Sequence, residues 1–179
     1  MTQRAIGRRS WIAAALAGAV AGGAAWNWRA SETETVALTA SEMQFWQSQW
    51  QQIDGVLLPM QGFSGHPLLL NFWATWCPPC VEELPLLNVF YQENKAKGWQ
   101  VLGLAADRQD AVQRYLAAAP LQFPVALTGF EGIGLSKSLG NLSSGLPFTV
   151  VFNAAGRIVH RKIGKLAAQD LSALLQTIR

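Results

Sequence analysis

Two cysteines occur in the 179 residues of this chain, and both lie within Trp76-Cys77-Pro78-Pro79-Cys80. With no third cysteine, the only bridge the chain can close within itself joins Cys77 to Cys80, a ring too small to staple a fold. Chemistry is the remaining reason for the pair, and two kinds suit it: reversible disulfide exchange, or binding of a soft metal. Cysteines at i and i+3 on the first turn of a helix point to the same side, so a disulfide can form and open there with little backbone motion. The unpaired N–H groups and positive dipole end of such a helix favour a thiolate at Cys77, which makes it the attacking sulfur and Cys80, one turn inside, the resolving one. Pro78 and Pro79 fit a first turn, where N–H groups have no intrahelical partner, and they remove two donors that would have stabilised the thiolate.

The flanking residues predict the elements that position this pair. Leu68-Leu69-Leu70-Asn71-Phe72-Trp73-Ala74 is a continuous apolar run bounded by turn signals, the pattern of a strand buried on both faces. From Cys80 to Tyr91 apolar residues recur at helical spacing, and the helix ends near Lys97-Gly98. A second buried strand spans Trp99 to Ala105, and a second helix runs from Arg108 to Ala119 before Pro120. This βαβα order implies parallel pairing with a right-handed crossover. The second half predicts a short strand over Phe123 to Leu127, a short helix over Gly132 to Leu139 and a loop at Asn141 to Gly145. A hairpin of Phe148–Phe152 with Arg157–Ile163 follows, then a terminal helix using Leu166, Leu171, Leu174, Leu175 and Ile178. Ahead of all this, Thr39 with Glu42, or Ser41 with Gln44, makes a capping box for an amphipathic helix carrying Phe45, Trp46, Trp50 and Ile53, which would cover one edge of the domain.

The first 29 residues read differently. Arg4, Arg8 and Arg9 precede an apolar stretch from Trp11 to Trp26, a basic region followed by a hydrophobic one, which is the pattern of an export leader. At about 1.5 Å per helical residue the stretch reaches roughly 24 Å, short of a hydrocarbon layer of roughly 30 Å. Two outcomes stay open: cleavage after Ala19-Val20-Ala21, or retention as an N-terminal membrane anchor with Trp26 and Trp28 at the interface. Arg8-Arg9 reads as an ordinary basic region, with a twin-arginine signal as the alternative. Residues 30–38 form a polar tether and residues 39–179 a single domain. The formal charge of +3 includes the leader's arginines and provides no argument for nucleic-acid binding.

Trp-Cys-Pro-Pro-Cys after a buried Phe-Trp-Ala strand resembles the thioredoxin superfamily, and within it the exported TlpA/ResA/CcmG-like thiol–disulfide oxidoreductases. The resemblance extends from about Val56 to the C-terminus and includes Pro85 inside the helix and Leu146-Pro147, where the family carries a cis-proline facing the dithiol. It implies a thioredoxin-like α/β fold, a mixed central sheet with helices on both faces. It also implies a substrate groove in which Trp76, Pro78 and Pro79 border the nucleophile while the Leu146 backbone and Pro147 meet an extended client segment. One position departs from cytoplasmic thioredoxins, which carry a buried aspartate where this chain has Asn71; asparagine cannot transfer a proton. The exported branch instead carries a glutamate at the position of Glu83, one turn beyond Cys80 on the same helical face, where a raised pKa would suit proton exchange with that sulfur. Trp73 belongs to the core in this reading, and Asp107 and Arg108 to the surface.

The resemblance implies reduction of disulfides in exported client proteins, such as cytochrome c precursors or cysteines of metal sites, in the periplasm. It needs no cofactor beyond the redox-active Cys77–Cys80 pair, and it implies a membrane electron donor of the DsbD/CcdA kind. Two alternatives stand beside it: an oxidase or isomerase of the same fold, and a copper-binding chaperone using the dithiol. The chaperone would need a third ligand, and His66 and His160 both lie on elements away from the pentapeptide.

Overall fold

The structure, a computed structural model, describes residues 37–178. The expected leader and most of the tether lie outside the described residues. Among the described residues no helix is long and apolar enough to cross a membrane.

Helix α1 (Ala40–Gln47) opens on the expected capping box: Thr39 Oγ1 accepts the Glu42 N–H at 3.3 Å, and Glu42 Oε2 accepts the Thr39 N–H at 2.7 Å. The helix stops earlier than its apolar pattern predicted. Trp50 lies on strand β1 (Gln49–Gln52), which turns at Asp54-Gly55 and pairs antiparallel with β2 (Leu57–Pro59). Gly55 takes φ +88°, and the Asp54 side chain accepts the Val56 N–H, so the Asp-Gly pair marks this hairpin locally.

Strand β3 (Leu68–Trp73) is wholly buried, Asn71 included, in keeping with its largely apolar run. It leads into α2 (Pro78–Asn94), which continues through a 3₁₀ turn at Lys95–Lys97 to Gly98 at φ +92°. Strand β4 (Gln100–Ala105), helix α3 (Gln109–Ala118) and strand β5 (Val125–Leu127) follow, then helix α4 (Glu131–Ser138), strands β6 (Phe148–Phe152) and β7 (Ile158–Ile163), and helix α5 (Ala168–Thr177). The seven strands form one mixed sheet in the order β2-β1-β5-β4-β3-β6-β7. β3, β4 and β5 are parallel, while β6 runs antiparallel to β3.

Alternation along β3 divides the core. Leu69 and Trp73 join Leu84, Leu87, Val112, Leu171 and Leu174 on one face. Leu68, Leu70 and Phe72 join Phe45, Leu135, Leu139 and Phe152 on the other. Glycine at position 103 of β4 makes room for the Trp73 indole, since a Cβ there would stand 3.0 Å from Trp73 Nε1.

Helix α1 is fastened to the β6–β7 hairpin. Phe45 stacks on Phe152 with ring centroids 4.7 Å apart, and the Trp46 indole N–H donates to the Gly156 carbonyl at 2.7 Å. The buried Glu42 carboxylate also accepts the Ile158 N–H at 2.6 Å. Burial is the largest single influence on this carboxyl and pulls its pKa up. The hydrogen bonds from Ile158 and Thr39 together outweigh it and hold the group below its ordinary value. A lowered folded pKa contributes stability that is present above the unfolded value and is lost as pH falls through the folded one. We expect Glu42→Ala to lower stability at neutral pH by about 2–4 kcal/mol, measured by urea unfolding. We expect Glu42→Gln to flatten the loss of stability below about pH 4.

Candidate active site

The pentapeptide falls just past the carboxyl end of β3, where the chain leaves the sheet and enters α2. Cys77 is the N-cap of α2, Pro78 and Pro79 are its first two residues, and Cys77 and Cys80 are joined by a disulfide with Cα atoms 5.3 Å apart. Cys80 is completely buried and Cys77 almost so, at 5% exposure, whereas Pro78 and Pro79 are exposed and Trp76 is 66% exposed. Cys77 is thus the less buried of the two.

The donors around the first turn are few. Pro78 and Pro79 carry no N–H, and the N–H groups of Cys80 and Val81 both donate to the Cys77 carbonyl, at 3.0 and 3.1 Å. The N–H groups of the first turn are therefore either missing or turned toward a backbone oxygen rather than held for a thiolate.

Glu83, one turn beyond Cys80, is fully buried. Its Oε1 accepts from Asn71 Nδ2 at 2.7 Å, and its Oε2 accepts the Leu166 N–H at 2.7 Å. Asn71 Nδ2 also donates to Thr149 Oγ1 at 3.1 Å, and the two residues are direct register partners on β3 and β6. Burial raises the Glu83 pKa, opposed in turn by the Leu166 N–H, the Asn71 amide and the more distant Lys165 and Lys162. Its neighbour Glu82 points outward and pairs with Lys165 at 2.7 Å.

Leu146-Pro147 is a cis peptide. Because Phe72 registers with Phe148 and Asn71 with Thr149, the buried Pro147 extends past the end of β6 on the same side of the sheet end as the pentapeptide. Leu146 and Trp76 line one cavity of about 630 Å³, whereas Pro78, Pro79 and Pro147 are not among its lining residues. Among the described residues no group of three or more His, Cys, Asp and Glu side chains is placed to hold a metal ion. His66 lies against Gly98 at the amino end of β3, and His160 sits on β7 opposite Val151.

Asp107 departs from its expected surface role. Its Oδ2 accepts both the Thr75 N–H at 2.8 Å and the Thr75 hydroxyl at 2.6 Å, which ties the β4–α3 loop to the segment entering Cys77. Arg108 is exposed and pairs with Asp110 at 3.0 Å. Sequence reasoning also left Asn71 and Thr149 without a shared role, although each is the one polar residue in an otherwise apolar buried strand. We expect Asp107→Ala to lower the stability of the oxidised protein by about 1–2 kcal/mol in urea unfolding. Asp107→Asn, which keeps an acceptor oxygen, should recover most of the loss.

A profile of the Redoxin family matches residues 32–178. The chain is 34% identical over 128 residues to thiol-disulfide oxidoreductase ResA of Bacillus cereus, covering 70% of this chain and 71% of that one. Among solved structures, StoA from Bacillus subtilis is 25% identical, with a TM-score of 0.58 over 72% of this chain and 95% of its own. A secreted Mycobacterium tuberculosis disulfide oxidoreductase, 22% identical, shares the fold with a TM-score of 0.62 over 75% of this chain and 98% of that one. With a seven-stranded thioredoxin-like sheet and a Cys-Pro-Pro-Cys disulfide at the start of α2, the chain belongs to the Redoxin family, as a thiol–disulfide oxidoreductase of the TlpA/ResA/CcmG-like branch of the thioredoxin superfamily.

Proposed function

We propose that this protein reduces disulfides of exported client proteins on the periplasmic side of the inner membrane, with residues 1–29 serving as export signal or membrane anchor. The Cys77 thiolate attacks one sulfur of the client disulfide, whose S–S bond breaks as its second sulfur leaves as a thiolate. The Cys80 thiolate then attacks Cys77 Sγ, forms the Cys77–Cys80 bridge and releases the first client sulfur. Two electrons pass from the dithiol to the client, and a membrane dithiol donor of the DsbD/CcdA kind returns them. Glu83 takes the proton that Cys80 must lose before attack, and Asn71 and the Leu166 N–H hold its carboxyl in place. Clients are disulfide proteins such as cytochrome c precursors or proteins with metal-site cysteine pairs.

The observation that carries the reductive direction is the scarcity of donors at the start of α2. A dithiol becomes a strong oxidant when its thiolate form is stabilised. Here Pro78 and Pro79 have no N–H to offer, and the next two N–H groups are bonded to the Cys77 carbonyl. A poorly stabilised thiolate makes the disulfide the favoured state and the dithiol a willing electron donor.

Three measurements test this. Equilibration with glutathione should place the protein on the reducing side of that couple, and Pro79→His should move it toward oxidising by adding a cationic donor beside the sulfur; a wild-type potential on the oxidising side sinks the reductive reading. In Cys80→Ala the mixed disulfide on Cys77 should persist and identify the client by mass. The raised Glu83 pKa has a defined sign: its stabilising contribution is present below the unfolded value and is lost as pH rises through the folded one. Wild-type stability should therefore decline as pH rises from about 4.3 through the folded value, and Glu83→Gln should remove both that decline and the matching pH dependence of exchange.

A further inference from the structure

The cavity beside the dithiol has a composition the exchange chemistry does not explain. Its floor is Phe72, and its walls are Trp76, Leu146, Phe130 and Ile133, the last two at the start of α4. Phe130 is 91% exposed, Trp76 66% and Ile133 40%, a cluster of open apolar surface directly at the reactive end of the molecule. Of the polar side chains that reach the cavity, Asp107 is bonded to Thr75, Arg108 is paired with Asp110 and the Ser136 hydroxyl donates to the Ile133 carbonyl at 3.0 Å, which leaves the Ser144 hydroxyl without a partner among the described residues. The rest of the lining is mostly carbon, so an apolar side chain would gain most there by removing exposed carbon from water.

The backbone that carries both walls is held by close contacts. On one side the buried Asn141 amide donates to the Gly145 carbonyl at 2.9 Å and closes the loop that delivers Leu146. On the other, α4 starts so close to Thr128 that a Cβ on Gly132 would lie 2.1 Å from the Thr128 hydroxyl. A preformed cavity loses little freedom when it is filled.

We infer that the cavity recognises a large apolar side chain, Leu or Phe in kind, two residues from the reactive cysteine of the client. The inference rests on the exchange reaction proposed above, which brings an extended client segment to Cys77. The main-chain N–H and carbonyl of Leu146 make no hydrogen bond among the described residues, so they are open to such a segment. In an extended chain, residues i and i+2 face the same way at about 6.6–6.8 Å separation. With the client cysteine at Cys77, its second neighbour on the Trp76 side therefore faces the cavity.

The test uses the full-length reduced protein in detergent and two synthetic peptides. Each peptide carries one cysteine as a mixed disulfide with glutathione, and they differ only in Phe or Ser two residues from it. The Phe peptide should react about tenfold faster or more, and Phe130→Ser with Ile133→Ser should bring the ratio to about unity. Val159→Ser, at an equally apolar exposed site on β7, should leave the ratio as in wild type. Equal rates with both peptides in wild type, or a preference that survives the double substitution, overturn the inference. So does sedimentation showing that a second copy fills the cavity, or a preference that emerges only after residues 1–36 are removed. Absence of exchange with either peptide would instead remove the proposed function itself.

Discussion

The carboxyl group of Glu83, one helical turn beyond Cys80, is taken wholly out of water, and the local architecture is arranged around that fact. A buried ionisable group is strongly unfavourable unless its oxygens are met by donors. Here the donors come from different parts of the fold, the Asn71 amide on β3 and the Leu166 N–H ahead of α5, so the carboxyl links α2 to the sheet and to the terminal helix. Those bonds favour the ionised form, yet desolvation wins and the pKa rises. Asparagine at position 71 suits such a group better than aspartate. An amide offers a donor at one end and an acceptor at the other, so it can serve Glu83 as carboxylate or, with the amide turned, as acid. The acceptor end, Asn71 Oδ1, is buried without a partner among the described residues. A second carboxylate in its place would add like-charge repulsion instead.

The helix start sets the surroundings of the first sulfur. An N-terminus with free N–H groups would stabilise a thiolate and make the disulfide easy to reduce. Two successive prolines preserve the helix, because first-turn donors are not needed for its own hydrogen bonds, while removing the groups that would favour the thiolate. The same residues therefore build the element and weaken its effect on the sulfur. Burial of Cys80 adds to this, since a thiolate there would lack water as well as donors.

Much of the arrangement was legible from local sequence. The largely apolar runs of β3, β4 and β6, the Thr39–Glu42 capping box and the Asn153–Gly156 turn each carry their own signal, and each appears where expected. The β1–β2 hairpin did not announce itself. Its strands are short and glutamine-rich, and Trp50 and Ile53 continue the helical spacing of α1, so only Asp54-Gly55 marked the change. The positions of Cys77, Cys80 and Glu83 on α2 followed from spacing on one helix, but the partners of Glu83 did not. Asn71 and Leu166 meet it, and Thr149 meets Asn71, through tertiary packing that no local pattern encodes. Asp107 was hidden for the same reason: its partner Thr75 lies on the preceding βα connection, 32 residues away.

Successive residues of β3 point to opposite faces of the sheet, and this alternation separates two tasks. Asn71 faces α2 and α5 and holds Glu83, while Phe72, the next residue, faces the side of α1 and α4 and forms the floor of the apolar cavity. In the proposed mechanism, proton handling and client recognition thus sit on opposite faces and meet only at the strand end, where the chain turns through Trp76 into Cys77. A one-residue slip of β3 would place an amide in the apolar cavity and a phenyl ring against the buried carboxylate. Burial on both faces opposes that slip, because neither side could accept the exchanged side chain. On the proposed recognition, a client could vary the group it presents to the cavity without disturbing the hydrogen bonds of Glu83, since the sheet itself stands between them.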